Sequence, residues 1–425
     1  MSGYSIHVFN LETKVIRNSN NQLEVLKISG LPSRQEPYNF PFIYELVKNY
    51  PEEIKVIFMI LEPLFILKNK RVFHYERKEY LSPSANCKII SSISYHIPLL
   101  RKIYSKAYLE LWSQLRTIRR KQPRFDLIHA DFVYPPGYEA CLLGRLFKKP
   151  VVITSHGSDL MINVNKKWIV KRRSTYALNK AQAIICVSNA LKEKAVSLGA
   201  DKSRIFVIPN GADTSRFKPI PQNEVREKLN LQVNRKIILF IGRLHPVKGP
   251  DFLIDAISQI VNDAKQKELL LILVGSGSME SRLKEQITSL NISHNVFFAG
   301  GISHKEIPYW INASDVVCIP SQSEGFGAVS VEALACGKPV IASNVGGLPE
   351  IITNDDLGYL VEPGDTNQLA HAISKSLSRE WDTDKIAGHA HERYSWQTIA
   401  QSTADVYKFA IDKYHNPNTI SDLYV

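Results

Sequence analysis

The sequence predicts an α/β protein built from two doubly wound domains, each with a parallel sheet covered by helices. Its 425 residues exceed what one hydrophobic core usually organises. From about residue 124 onward, short β-branched runs alternate with amphipathic helical runs, which is typical of βα units. The runs are apolar at nearly every position, as in strands that are buried on both faces.

The first series of βα units lies between residues 126 and 210. Its strand-like runs are DLIHA, PVVITSHG, AQAIICVS and RIFVIPNG, and the helical stretches between them include GYEACLLGRLFKK and NALKEKAVSLGA. This order predicts one parallel sheet in the first half of the chain.

A second series follows a polar connector at residues 217–235. Its strand-like runs are KIILFIG, LLLILVG, NVFFAG, DVVCIPS and KPVIAS. We therefore predict an N-terminal domain at 1–218, a C-terminal domain at 219–395, and a closing helix at about 396–414 that is a candidate for packing back on the first domain. Ligands of open α/β sheets bind beyond the carboxyl ends of the strands, so we expect the site in the cleft between the domains.

Charge is unevenly distributed along the chain. The formal net charge is +12, and residues 1–220 contain 35 Lys and Arg against 17 Asp and Glu. This excess predicts an anionic partner for the first half, such as phosphate, acidic lipid or nucleic acid. The basic helical stretch at 99–121, with its interleaved aromatic residues, indicates either contact with an anionic membrane surface or a solvated helix face.

The sequence offers no sign of a membrane-spanning or disulfide-bonded protein. It has no run of 18 apolar residues, and the N-terminal residues lack the layout of a secretory signal. The five cysteines show no paired spacing, and no His and Cys cluster has the spacing of metal ligands. We therefore expect a cytoplasmic protein with reduced thiols and no metal site.

The first candidate site lies in SEGFGAVSVEALACGKPV, where a loop with two glycines follows a predicted strand. Gly325 and Gly327 allow a ligand to approach the backbone, and the first amides of the helix that begins near Ala328 can hold an anion. Glu324 in the loop and Glu332 one turn into the helix offer carboxylates to a ligand with many hydroxyls, such as a sugar and a ribose. The alternative is a structural role as a loop cap and as a charge that offsets the helix dipole.

The second candidate site lies in FIGRLHPVKG, after another predicted strand. Gly242 and Arg243 precede Lys248 and Gly249 on one loop. An arginine with paired donors and a lysine with a point charge can hold a diphosphate between them. The alternative is that both charges are simply solvated on an exposed loop.

His156 is the candidate in the first domain. It ends the predicted strand in VVITSHG and precedes Gly157. A neutral histidine at that edge can bond a substrate or hold the backbone of the cleft. The alternative is a purely structural histidine.

Six segments occur in an order that resembles the family 4 glycosyltransferases, which are retaining enzymes of the GT-B fold. They are VIPNGADTSRFKP, GRLHPVKG, LVGSG, SEGFGAVSVEALACGKPVIAS, VGGLPE and GYLVEPGD. The resemblance extends from about Asp126 to the closing helix and is weak before that. It implies two Rossmann-like domains that face a cleft, the first on the acceptor side and the second binding a nucleotide sugar.

The resemblance also implies roles for particular residues. Glu324 would bind hydroxyls of the donor sugar, and Glu332 would bind the ribose. Arg243 and Lys248 would hold the diphosphate, and His156 would reach the donor sugar across the cleft. The remaining donor-binding positions are Gly242, Gly275, Gly325, Phe326, Gly327 and Ala328. No metal or other cofactor is implied, since the nucleotide sugar is a substrate.

The function that we expect is transfer of a hexose from a nucleotide sugar, with a UDP-sugar favoured. The expected acceptor is a cell-surface polysaccharide or a polyprenyl-linked glycan precursor. We expect the protein in the cytoplasm, with peripheral contact at the anionic inner face of the membrane as a further expectation, and no nucleic-acid partner. A glycoside hydrolase or phosphorylase that uses the two glutamates is an alternative within enzymes.

The start of the chain departs from the pattern of the family. Members usually open with a strand, a glycine-rich turn and a helix. Residues 1–130 contain only two glycines, Gly3 and Gly30. The opening MSGYSIHVFNLETKVIRN resembles the second strand of such a domain, so we predict that the first strand–helix unit is absent. An incomplete acceptor side would make a catalytically impaired nucleotide-sugar-binding protein or partner subunit the alternative function.

Overall fold

The computed structural model describes residues 22–30, 41–66, 73–75, 82–96, 106–165, 167–263 and 268–417. Within these ranges the chain forms two sheets whose strands are almost all parallel. The predicted fold class of two doubly wound α/β units is confirmed.

The first sheet has the order β3-β2-β1-β5-β6-β7-β8, and β4 also pairs with β2. All of these pairings are parallel except that of β2 with β3. The strands are β1 (Leu23–Ile28), β2 (Ile54–Ile66), β3 (Phe73–Tyr75), β4 (Cys87–His96), β5 (Leu127–Asp131), β6 (Val151–Ser155), β7 (Ala183–Cys186) and β8 (Ile205–Val207). The helices that accompany them are α1 (Pro41–Lys48), α2 (Lys106–Lys121), α3 (Tyr138–Phe147), α4 (Ser158–Met161), α5 (Trp168–Lys180) and α6 (Asn189–Ser197).

The second sheet is entirely parallel and has the order β11-β10-β9-β12-β13-β14. Its strands are β9 (Lys236–Ile241), β10 (Leu269–Val274), β11 (Val296–Gly300), β12 (Val316–Ile319), β13 (Val340–Ser343) and β14 (Gly358–Val361). The helices are α7 (Gln222–Lys228), α8 (Pro250–Asn262), α9 (Glu280–Ser289), α10 (Ile307–Ala313), α11 (Ala328–Ala335), α12 (Leu348–Ile351), α13 (Thr366–Leu377), α14 (Thr383–Tyr394) and α15 (Trp396–His415). The strand order reverses between β9 and β12, and such a switch point opens a crevice for a ligand.

The prediction that the first strand–helix unit is absent is wrong. β1 lies in the interior of the first sheet, with Leu23 opposite Ile54 of β2 and Val25 opposite Leu127 of β5. α1 follows it and buries Ile43 against the sheet. The lack of a glycine-rich turn was misleading because a strand needs no such turn to enter a sheet. The opening residues 1–21, which resembled a strand, lie outside the described residues.

The last helix, α15, packs back against the first domain. Trp396, Ile399 and Tyr407 share an apolar cluster with residues of β1, β2, β5 and β6. Just before this helix, the amide of Ala212 in the first domain donates to the carbonyl of Tyr394 at 2.8 Å, where the chain returns from the second domain to the first. The C-terminal helix therefore belongs to the packing of the first sheet.

Candidate active site at the cleft

Three loops of the second domain meet at the carboxyl edge of its sheet. Gly249 has φ +64°, and a Cβ on it would lie 2.1 Å from the carbonyl oxygen of Pro320. Gly346 has φ +58°, and a Cβ there would lie 1.6 Å from the carbonyl oxygen of Glu324. Only glycine fits such close backbone contacts. These two residues join the loops after β9, β12 and β13 into one surface.

Lys248 and Glu324 form an ion pair on this surface. Lys248 Nζ donates to Glu324 Oε2 at 2.5 Å, and the side chains are 28% and 15% exposed. The amide of Gly325 donates to the other carboxylate oxygen of Glu324 at 3.2 Å. A residue predicted to hold the diphosphate thus lies in contact with one predicted to hold the sugar.

The other predicted residues of the β9 and β10 loops lie nearby in the fold. The amide of Gly242 donates to the carbonyl of Val274, and Gly275 packs directly on the Gly242 carbonyl. Arg243 is exposed, and it forms no ion pair within the described ranges. Its guanidinium therefore remains available to an anion in the cleft.

The loop after β12 leads into α11. Gly327 has φ +99° and precedes the first residue of the helix, Ala328. Phe326 turns its side chain into the core, where its ring lies 6.2 Å from that of Tyr394. The backbone amides at the start of α11 form the positive end of the helix dipole, which favours an anion.

Glu332, in the second turn of α11, contacts a histidine that the sequence analysis did not select. His304 Nε2 lies 2.7 Å from Glu332 Oε1, and the two side chains are 29% and 13% exposed. Burial opposes protonation of His304, but the carboxylate of Glu332 outweighs it and raises the pKa of His304. The only sequence signal was a histidine three residues beyond the Gly300-Gly301 pair at the end of β11.

His156 lies at the end of β6, where the first domain touches the second. A Cβ on Gly157, whose φ is +116°, would lie 2.7 Å from Gly325 Cα, so the two backbones are in contact. The ring of His156 packs near those of Phe42 and Phe132, with centroids 4.6 and 5.0 Å away. The structure thus brings His156, Glu324 and Lys248 to one region.

Two further residues that join the domains were missed. Ser188 Oγ donates to the carbonyl of Gly325 at 2.7 Å. The carboxylate of Glu350 accepts from the amides of Asn189 and Ala190 at 2.9 and 3.2 Å, at the start of α6. Glu350 is the final residue of the quoted VGGLPE segment, but its partner could not be found from the sequence because it lies in the other domain.

Among the described residues, no group of three or more His, Cys, Asp or Glu side chains is placed to bind a metal ion. What the site does offer is two cations, a helix N-terminus and two separate carboxylates around one cleft. Cations and amides suit a diphosphate, and carboxylates suit hydroxyl groups. These two sheets and this cleft define the GT-B class of glycosyltransferase.

The chain belongs to the family 4 glycosyltransferases. The model described as "Glycosyltransferase Family 4" matches residues 65–216, and the model "Glycosyl transferases group 1" matches residues 221–393. The earlier resemblance to this family is confirmed.

Curated relatives agree with this membership. An uncharacterized glycosyltransferase of Methanocaldococcus jannaschii is 35% identical over 305 residues, 68% of this chain and 76% of the relative. A D-inositol 3-phosphate glycosyltransferase of Rhodococcus opacus is 35% identical over 327 residues, 72% of this chain and 73% of the relative.

The solved structures show the shared GT-B fold. The Anabaena protein HepE in complex with UDP is 24% identical, with a TM-score of 0.69 over 91% of this chain and 99% of HepE. The sucrose-phosphate synthase of Thermosynechococcus elongatus is 22% identical, with a TM-score of 0.72 over 91% of this chain and 98% of the synthase.

Proposed function

We propose that this protein is a retaining glycosyltransferase that transfers a hexose from a nucleotide sugar, with a UDP-sugar as the favoured donor. The observation that carries the proposal is the contact of Lys248 with Glu324 beside the His156–Gly157 turn. It sets a phosphate-binding cation next to a sugar-binding carboxylate. HepE, which shares the fold, has been solved with UDP and with UDP-glucose, and this supports the choice of donor.

The proposed reaction depends on stabilising the diphosphate as it departs. Arg243, Lys248 and the N-terminus of α11 offer positive charge where negative charge develops. Glu324 holds hydroxyls of the sugar and Glu332 holds the ribose. The acceptor hydroxyl attacks from the face that the diphosphate leaves, and the departing phosphate takes its proton. This scheme uses neither a metal ion nor another cofactor.

The proposed acceptor is a cell-surface polysaccharide or a lipid-linked glycan precursor. The first half of the chain has a large excess of Lys and Arg. On α2, Arg116, Arg119 and Arg120 accompany Trp112, whose side chain is 52% exposed. A basic helix with an exposed aromatic residue suits peripheral contact with an anionic membrane at its cytoplasmic face. The described part of the chain contains no helix that is both long and apolar enough to span a bilayer.

No particular contact supports the two alternatives, a glycoside hydrolase or phosphorylase and a catalytically impaired binding protein. Glu324 pairs with Lys248 while Glu332 pairs with His304, so the two carboxylates are engaged separately rather than as an acid and base couple. The impaired binding protein was suggested by a missing strand–helix unit, and β1 with α1 supplies that unit.

A panel of nucleotide sugars, with product analysis by NMR, tests the proposal. We expect turnover with a UDP-hexose, a product of the same anomeric configuration as the donor, and a higher thermal midpoint with UDP than with GDP. Stabilisation by UDP without transfer or donor hydrolysis would contradict the enzyme assignment. A product of inverted configuration would contradict retention.

A further inference from the structure

A buried group of polar side chains surrounds His156 in the first domain. Asp131, at the end of β5, contacts His156 Nε2 through Oδ1 at 3.0 Å and Lys27 Nζ through Oδ2 at 2.8 Å. Lys27 and Asp131 are 0% exposed, and the His156 side chain is 7% exposed. A lysine inside the central strand of a sheet is costly because both charges lose their hydration.

The contact with Asp131 determines which nitrogen of His156 carries a proton. A carboxylate can only accept, so Nε2 is the donor. Burial alone would raise the pKa of Asp131, but Lys27 and the hydrogen bond from His156 hold it well below its usual range. Asp131 is therefore ionised at neutral pH, and the Nε2–H tautomer of His156 is imposed.

Lys27 balances the charge of Asp131, because the two side chains form an ion pair and both are fully buried. His129, on β5, is a further titratable group of this cluster. Burial, with Lys27 adding to it, lowers the pKa of His129 far below its usual value. His129 is therefore uncharged at neutral pH.

His129 fixes Lys27 from the other side. Lys27 Nζ can only donate, so His129 Nδ1, 3.2 Å away, must accept. His129 Nε2 then donates to Thr154 Oγ1 at 2.8 Å. The hydroxyl of Tyr407, on α15, also lies 2.7 Å from His129 Nδ1, and it contacts the hydroxyl of Tyr50 at 2.7 Å. The ammonium is thus held in place by β5 and, through His129, by the C-terminal helix.

The second ring nitrogen of His156 is left as an acceptor. Nδ1 is buried, and no described residue hydrogen-bonds to it. The nearby rings of Phe42 and Phe132 offer no N–H or O–H donor. The adjacent Gly157 contacts the Glu324–Gly325 loop, so His156 lies next to that loop of the cleft. A hydroxyl group can donate to this nitrogen, whereas an ionised diphosphate oxygen cannot.

We propose that Lys27 and Asp131 are positioning residues that hold His156 with Nε2 as the donor to Asp131 and Nδ1 as the acceptor for a hydroxyl group of the transferred sugar. The identity of the ligand rests on the proposed function. In this proposal neither residue contacts the sugar, and each acts through the tautomer of His156.

The test compares the wild type with the double variant Lys27→Met/Asp131→Asn. Both charges are removed together because either single change would leave an uncompensated buried charge and risk unfolding. The new amide side chain can offer either its carbonyl or its amino group to His156, so the Nε2–H tautomer is no longer imposed. The full-length chain is labelled with ¹⁵N-histidine, and the His156 signals are identified by their loss in His156→Gln.

For the wild type at neutral pH we expect a protonated Nε2 and an unprotonated Nδ1 in the ¹⁵N spectrum. In the double variant we expect a mixture of tautomers or a reversed one. With a UDP-hexose we expect kcat to fall roughly 10- to 100-fold, the range typical when the hydrogen-bond partner that orients a metal-bound imidazole is lost.

The matched control is Arg226→Met/Asp315→Asn, which removes another buried ion pair. Arg226 Nη2 lies 2.8 Å from Asp315 Oδ2, and Arg226 is 4% exposed. Because this pair lies before β12, away from the carboxyl edge of the sheet, we expect it to change thermal stability but neither the tautomer of His156 nor kcat.

Two results would overturn the inference: a wild-type tautomer of His156 in the folded double variant, or an altered tautomer with unchanged kcat. A wild type that turns over no nucleotide sugar would instead contradict the proposed function. The spectra need no turnover, so in that case the tautomer in the double variant alone decides whether Lys27 and Asp131 position His156.

Discussion

Lys248 and Glu324 lie 76 positions apart in the chain and form an ion pair at the cleft. Their loops follow β9 and β12, which are neighbours in the second sheet. Parallel pairing brings the carboxyl ends of both strands to the same edge, so the contact is a direct consequence of strand order. It joins the phosphate side and the sugar side of the proposed donor site.

Replacing Lys248 with Met should reduce kcat/KM by an amount equivalent to about 2–4 kcal/mol of transition-state stabilisation, as when an oxyanion donor is lost. The variant also leaves Glu324 without its cation. Steady-state kinetics with the best donor measures the effect. The control is Lys284→Met, which removes an exposed pair with Glu280 on α9 and should leave kcat/KM unchanged. Equal kinetics in Lys248→Met and wild type would remove Lys248 from the reaction.

Arg243→Ala should also lower kcat/KM, by an amount equivalent to about 2–4 kcal/mol of transition-state stabilisation. The reason is that the guanidinium is proposed to stabilise the departing diphosphate. Since Arg243 is exposed and forms no ion pair in the described part of the chain, its loss should hardly change the thermal midpoint. Kinetics and thermal unfolding of the same sample separate the two effects. Unchanged turnover in this variant would refute the role of Arg243.

Glu350→Gln should weaken the contact between the domains. Its carboxylate accepts two amides at the start of α6 and lies near the positive end of that helix. Loss of a helix cap usually costs about 0.5–2 kcal/mol. We expect a lower thermal midpoint together with a higher KM for the donor.

The control for Glu350 is Asp365→Ala, which removes the N-cap of α13 within the second domain. It should lower stability without changing KM. If both variants behave alike, Glu350 acts only as a cap and not in holding the cleft.

Stability should fall as pH rises through the pKa of His304. This pKa is raised above its ordinary value of 6.5 because Glu332 outweighs the effect of burial. The folded state therefore binds the proton more tightly than the unfolded chain, so the ion pair stabilises fully below about pH 6.5 and is lost above the folded pKa.

Thermal midpoints from about pH 5.5 to about pH 8.5 test this expectation. The decline should be shallower in His304→Asn than in the wild type, whereas His371→Asn, which changes an exposed histidine of α13, should follow the wild type. Parallel curves for the wild type and His304→Asn would contradict the prediction.

The sequence predicted where the loops of the proposed donor site lie, after strands of the second sheet, because its signals are local. A glycine loop between a strand and a helix, as at Gly325–Gly327, consists of consecutive residues and can be recognised from them. The same holds for Gly242, Arg243 and Lys248 after β9. Their order along the chain also resembled the family to which the protein belongs.

The contacts that join distant segments could not be predicted in this way. His304 meets Glu332 across 28 positions, and Glu350 meets Asn189 across 161. No pattern in either segment specifies its partner, because the pairing depends on how the loops and domains pack. The presence of β1 was also missed, since its identity as an interior strand depends on pairing with β2 and β5 rather than on a motif.

The sequence by itself determined the fold class and the family, because periodicity and short motifs are properties of neighbouring residues. The loop residues of the donor site are a prediction from the same motifs. Only the tertiary structure decided the environment of those residues. No motif in the sequence marks Lys27. It forms a buried ion pair with Asp131 because β1 and β5 are adjacent strands. In a buried site such contacts determine which groups are charged and which ring nitrogens carry a proton. The reason is that a charge removed from water must be paired or hydrogen-bonded by its neighbours.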